Sequence, residues 1–167
     1  MRQYGLDVIE GADAVVNGET LTNWTIDWWR AVALSPAGDN LVNTGAGFDP
    51  YMNKTDSGMF FLGGTFGGAA ERTFTVPAGE PLLIPIVNEV DIEGPGVPGS
   101  PTDPNAINAM IKTDLDQWEA SVDWKSLNLS VDGKQIHVDK HDLVRSNLFT
   151  LNTSATDIVA KSILVPS

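Results

Sequence analysis

The chain has 167 residues, 42% of them hydrophobic, with no cysteine and with 22 acidic against 10 basic residues, a formal net charge of −12. This length and apolar content predict one domain over residues 1–167 that buries its own core and exists as a monomeric module. The charge excludes nucleic acid and anionic membrane surfaces as partners. The lack of cysteine excludes disulfides, and no apolar run reaches the ~18 residues that span a bilayer, so membrane insertion is not expected.

The first half of the chain predicts a helix between short strands. Residues 15–20 are predicted as strand and turn, and residues 21–33 as a helix, because apolar side chains recur at three- and four-residue spacing at Leu21, Trp24, Trp28 and Val32. Ser35-Pro36 ends this helix. The next segment is predicted as an oxygen-rich loop with Asp39, Asn40, Asn43, Thr44, Asp49, Asn53 and Asp56.

Strands are then predicted on both sides of a glycine loop. Residues 59–62 and 72–76 have strand composition and bracket the loop at residues 63–68, and a further strand is predicted at residues 82–87. The loop lacks the Lys-Ser/Thr of a phosphate-binding loop. Two interpretations stay open: a close-packed turn, or a nest of backbone N–H groups that holds a small anion such as a carboxylate.

Three carboxylates at alternate positions follow, at Glu89, Asp91 and Glu93, closed by Gly94. Ligands at positions 1, 3 and 5 with glycine at 6 open a known calcium loop, although position 12 is Ser100 here instead of glutamate, which excludes an EF-hand. We predict a calcium site of another type. The alternative is a solvated acidic turn.

The second half predicts a helix and a hairpin. Asp103-Pro104 supplies an N-cap and a first-turn proline for a helix whose apolar side comprises Ile107, Met110, Ile111, Leu115 and Trp118. Residues 127–131 and 135–138 form a predicted hairpin around Asp132-Gly133, with one further strand at Leu148–Leu151 or Ile163–Val165. The predicted fold class is α+β, an antiparallel β-sandwich core with two packed helices.

Catalytic signatures are weak. The only histidines are His137 and His141, and no nucleophile motif accompanies them. His137 alternates with apolar residues on a predicted strand. His141 lies between Asp139 and Asp142, a set poorer in nitrogen and sulfur than zinc usually takes. We therefore expect no enzymatic activity.

The sequence resembles a known family at several blocks. These are the tryptophan-rich first helix, residues 59–68, residues 72–79 and residues 85–89. Over about residues 15–150 the chain looks like the calcium-dependent peptide-binding domain of very large RTX adhesins of Gram-negative bacteria. The resemblance implies a cysteine-free module of a larger adhesin, secreted or at the cell surface, which grips the free C-terminus of host surface proteins.

The chemistry of such a ligand suggests where it would bind. A peptide carboxylate needs local positive features in a chain of charge −12. We expect calcium on Glu89, Asp91 and Glu93 with Asn88 in support, leaving open positions for the ligand. The predicted peptide-end contacts are Gly63, Gly64, Thr65, Gly67, Gly68 and Arg72. Two alternatives remain, an exported hydrolase of unknown substrate and a glycan-binding or structural adhesin module.

Overall fold

The computed structural model describes residues 11–34, 36, 58–64, 69, 71, 76 and 78–154, and residues 51–54 by their backbone. Two α-helices are present, α1 (Leu21–Ala33) and α2 (Pro104–Ser121). The strands are β1 (Val15–Val16), β2 (Glu19–Thr20), β3 (Tyr51–Lys54), β4 (Met59–Leu62), β5 (Leu82–Leu83), β6 (Leu129–Val131) and β7 (Lys134–Ile136). Short 3₁₀ turns occupy Trp124–Ser126 and Lys140–Asp142.

The N-terminal hairpin leads directly into α1. Asn17 and Gly18 join β1 to β2 with φ angles of 50° and 86°, the left-handed values that a two-residue hairpin turn requires. Asn17 Nδ2 donates to the Gly58 carbonyl at 2.6 Å, which ties the turn to the start of β4. Thr20 caps α1, since its hydroxyl accepts from the Asn23 backbone N–H.

The core lies between α1 and β4. The predicted apolar side of α1 is confirmed, because all four of its residues are buried. The Trp24 indole packs edge-on against Phe61, with ring centroids 6.1 Å apart, and its N–H donates to the Val16 carbonyl at 2.9 Å. The Trp28 indole N–H donates to the Leu62 carbonyl, also at 2.9 Å. These contacts give the tryptophans both apolar burial and a hydrogen-bond partner.

A three-stranded sheet carries the other side of this core. In it β4 pairs antiparallel with β3 and parallel with β5. The prediction of a loop at Asn53 was wrong, because this residue belongs to β3 and pairs with Phe60. The predicted strand at residues 82–87 is also too long: only Leu82–Leu83 pairs with a neighbour, and Pro85 lacks the N–H that a longer ladder requires.

Helix α2 begins where the sequence predicts. Asp103 accepts from the backbone N–H groups of Asn105 and Ala106 at 3.1 and 3.0 Å, and Pro104 occupies the first turn. None of its residues is fully buried, however, and Met110 is 36% exposed. The predicted apolar side is therefore only partly covered, and among the described residues α2 contributes none to the buried core.

The C-terminal half is built from small elements. β6 and β7 form the predicted hairpin, with Asp132 and Gly133 in the left-handed region at the turn. The strands are shorter than predicted, and His137 lies just after β7 and not on a strand. Residues 148–151 are not a strand, and residues 163–165 lie outside the described part of the chain, as does the greater part of the predicted strand at 72–76.

The fold class is α+β. The sheets that the structure describes contain two or three strands each, and among the described residues no two sheets form a sandwich. Neither described helix has the length and apolar character needed to cross a lipid bilayer.

Candidate functional site

The acidic segment follows β5 as irregular chain. Of its four predicted calcium ligands, Asn88 and Glu89 are exposed, whereas Asp91 and Glu93 are partly buried. The alternating apolar residues Val90 and Ile92 are also only partly buried. The segment is therefore not a fully solvated acidic turn, because its second half turns carboxylates toward the protein.

Two carboxylate oxygens in this segment are inaccessible to solvent and lack hydrogen-bond partners. They are Asp91 Oδ2 and Glu93 Oε2, and they are the buried side-chain atoms of this kind among the described residues. A buried acceptor without a donor loses its hydration and gains no hydrogen bond in exchange. This is energetically costly, and it is uncommon in folded proteins. Groups of this kind call for a missing partner, such as a cation or an ordered water.

The negative charge of a third carboxylate, Asp114 on α2, acts on this segment. The pKa of Asp91 is raised above its ordinary value, first by burial, then by the negative charges of Glu93 and Asp114, while a hydrogen bond from the Ile92 backbone opposes the shift. The electrostatic effect of Asp114 was not predicted from the sequence. No local pattern indicates it, since the residue lies 23 positions after Asp91 on a separate element.

The loop after Gly94 folds back on the acidic segment. Ser100 Oγ accepts from the Gly94 backbone N–H at 2.8 Å, and two turns within the loop carry bonds from Val97 to Gly94 and from Ser100 to Val97. Ser100, which occupies position 12 counted from Glu89, is thus hydrogen-bonded to the end of the acidic segment. It supplies a hydroxyl that orients the backbone, in place of the bidentate carboxylate of an EF-hand.

The carboxylates do not converge as a finished metal centre. Within the described ranges, no group of three or more His, Asp or Glu side chains is arranged to hold a metal ion. Calcium tolerates mixed shells of six to eight carboxylate, carbonyl and water oxygens. The donors here are oxygen only, which suits a hard cation. A bound ion would have to draw Asp91, Glu93 and Asp114 together and complete its shell from backbone and water.

The predicted peptide-end contacts lie mostly outside the described residues. Gly63 and Gly64 continue from β4, and a Cβ added at Gly64 would meet no atom within 4 Å, so this point of the loop is not close-packed. The remaining four predicted contacts, Thr65, Gly67, Gly68 and Arg72, fall outside the described part of the chain.

The histidine region is a capped turn. Asp139 accepts from the His141 backbone N–H at 2.7 Å and lies 3.2 Å from His137 Nε2, whose side chain is 86% exposed. Asp142 accepts from the Asp139 backbone N–H at 2.7 Å. The His141 backbone hydrogen bond, helped by both imidazoles, lowers the pKa of Asp139. The carboxylates of Asp139 and Asp142 already accept hydrogen bonds, and these bonds stabilise the turn.

A scan against protein-family models finds no match, and searches of curated proteins and of solved structures likewise find none.

Proposed function

We propose that this chain is a calcium-dependent adhesion module that binds the free C-terminal end of a peptide or of a host cell-surface protein. The observation that carries the proposal is the pair of inaccessible, unpartnered oxygens of Asp91 and Glu93. The negative charge of a third carboxylate, Asp114, also acts on Asp91. Bringing like charges together in a partly dehydrated place is unfavourable unless a cation balances them.

The residues present fit a hard cation. Asp91 and Glu93 would hold it, with Asp114 at the α2 side, and the exposed Asn88 and Glu89 lie next to them in the chain. Bound calcium supplies positive charge and open coordination positions that carboxylate oxygens of a ligand can fill. The protein would bind and orient the peptide end without catalysis. The proposal includes the β-sandwich core and the secreted or cell-surface location that the resemblance to RTX adhesins implies.

The net charge supports a requirement for the cation. A surface of charge −12 repels an anionic peptide end, so local positive charge must come from a bound ion, a backbone nest or an arginine. Calcium would reverse the local field at the acidic segment itself. Binding is then expected to need both the ion and the ligand carboxylate.

Two measurements test the proposal in order. Thermal unfolding in millimolar calcium, in magnesium and in excess chelator should show stabilisation by calcium, because an ion that binds only the native state raises stability. Coincident curves in calcium and chelator would reject the cation site.

A peptide array then compares free-acid peptides with the same peptides amidated, in calcium and in chelator. We expect binding of free acids in calcium alone. Equal binding of acids and amides would reject recognition of the C-terminus, whereas binding confined to a sugar array, or turnover of peptide, ester or glycoside substrates, would favour the two alternative functions. Asp91→Asn removes one proposed calcium ligand and should weaken calcium and peptide binding together. Its matched control is Asp132→Asn, which removes the same charge at the β6–β7 turn, where asparagine suits the left-handed backbone.

A further inference from the structure

The segment Leu143–Phe149, here called the strap, contacts three parts of the molecule. Val144 packs against the core cluster around α1 and β4. Arg145 forms ion pairs with α2, through Nη1 to Asp116 at 2.7 Å and through Nη2 to Glu119. The Phe149 ring lies under the guanidinium of Arg30 on α1, 5.5 Å from the ring centroid. One short segment therefore connects the core to both helices.

Helix α2 depends on this connection more than α1 does. Six residues of α1 are buried, whereas α2 has none. Its apolar residues are only partly covered, so hydrophobic burial holds α2 less firmly than it holds α1. The two carboxylates that Arg145 contacts are one turn apart on the same side of α2, which lets a single guanidinium fork engage both.

We propose that Arg145 is a positioning residue, and that the strap fixes the placement of α2 through a contact that salt weakens. Arg145 is 42% exposed, so solvent ions reach the pair. Asp114 lies about 200° around the helix from Asp116. Holding Asp116 and Glu119 therefore also sets the direction in which Asp114 points. The consequence for cation binding rests on the proposed function, whereas the strap itself does not.

The experiment uses backbone amide hydrogen exchange of the full chain in chelator. Arg145→Gln removes the charge, and Arg145→Lys keeps the charge but loses the fork. Lys112→Ala is the matched control, because Lys112 contacts the same Asp116 from within α2, at 2.6 Å, and not from the strap. Peptides covering Leu21–Ala33 report on the core in the same samples.

We expect Arg145→Gln to speed exchange throughout Pro104–Ser121 by about fivefold, given two exposed ion pairs of modest strength, with α1 unchanged. Molar salt should bring wild-type exchange toward that of the variant. Arg145→Lys should give an intermediate rate, and Lys112→Ala a smaller change. Unchanged exchange in α2 for Arg145→Gln, or equal acceleration in α1 and α2, would overturn the strap as the element that places α2.

A calcium titration of the same proteins separates the two proposals. Weaker calcium binding by Arg145→Gln, with Lys112→Ala close to wild type, supports a positioning role for Arg145 toward Asp114. Unchanged affinity in Arg145→Gln would overturn that role. If the wild type binds no calcium, the proposed function fails, while the exchange data still decide whether the strap holds α2.

Discussion

Replacing Asp91 with asparagine should have opposite effects in the two states of the proposed site. The change keeps the size of the side chain and an oxygen that can accept from the Ile92 backbone, and it replaces the unpartnered oxygen with an N–H donor. Without calcium, it removes a charge that burial and the negative charges of Glu93 and Asp114 disfavour. With calcium, it removes a ligand. We therefore expect Asp91→Asn to stabilise the protein in chelator and to weaken its response to calcium.

The magnitude follows from the neighbours. An exposed charge pair is worth about 0.2–1 kcal/mol, so relief from two like charges should give roughly 1 kcal/mol in chelator after solvent screening. For a chain of this length that corresponds to about 2–4 °C in melting temperature. At a calcium concentration 100 times Kd the wild type should gain about 2.7 kcal/mol, and a variant with tenfold weaker affinity about 1.4 kcal/mol.

The assay is thermal unfolding of wild type and variant, each in chelator and in calcium, with Asp132→Asn alongside. The pH dependence is a second reading. The folded pKa of Asp91 is raised above its ordinary value of 3.8. In chelator, the contribution of Asp91 to the free energy of unfolding is therefore fully present below pH 3.8 and is lost as pH rises through the folded pKa. The variant should lack that loss. A variant less stable than wild type in chelator would refute the reasoning, because it would mean that the Asp91 charge has a favourable partner.

Three further predictions concern the scaffold. Trp24→Phe should lower the free energy of unfolding in urea by roughly 2–3 kcal/mol, since it loses a buried hydrogen bond and ring volume. Trp29→Phe, at a half-buried site, is the control and should lower it by less than about 1 kcal/mol. Equal losses in the two variants would contradict the assignment of Trp24 to the core. Asp103→Ala should cost about 1 kcal/mol by removing the α2 cap, and retained helicity and stability would contradict the cap. The pKa of Asp116 is lowered first by the hydrogen bonds from the lysine and arginine beside it. Its contribution to stability is therefore present above 3.8 and lost as pH falls through the folded pKa. Acid should thus lower the protection of the α2 amides, measured as exchange rates corrected for the intrinsic rate at each pH, and acid-insensitive protection would argue against the ion pairs.

Local signals predicted the elements that local physics determines. The periodicity of α1, the Asp103-Pro104 start of α2 and the Asp132-Gly133 hairpin are each set by residues within a few positions of one another, and each is present. In these cases capping, turn geometry and apolar spacing favour the same local structure. Tertiary contacts preserve this local preference in the folded protein.

The errors occur where pairing partners lie far apart in the chain. Asn53 has loop composition, yet pairing of its strand with β4 makes it part of a sheet. Residues 82–87 are apolar along their whole length, but only two of them pair, and Pro85 lacks the N–H that a longer ladder requires. Strand formation depends on the neighbour more than on intrinsic preference, so a single sequence does not determine where such a strand begins or ends.

The candidate site divides in the same way. The sequence shows Asp91 and Glu93 as an acidic run, but which of its oxygens lose solvent depends on how the chain packs. Asp114 acts on Asp91 from a separate helix, 23 positions further along the chain. A charge pattern can thus suggest a cation, whereas the set of ligands is decided by tertiary structure.

The charged residues of α2 make attractive contacts on one side of the helix and a repulsive interaction on another. On α2, Asp116 and Glu119 have a basic partner in the strap, and Asp116 has a second in Lys112. The charge of Asp114, on another side of the helix, instead opposes ionisation of Asp91. An attractive contact thus holds the helix while a repulsive one is directed at the acidic segment. A divalent cation would convert this repulsion into an attraction. Calcium and Arg145 would then stabilise the same placement of α2 from different sides. Amide exchange in α2 should therefore be slower when both calcium and Arg145 are present than when either one is absent.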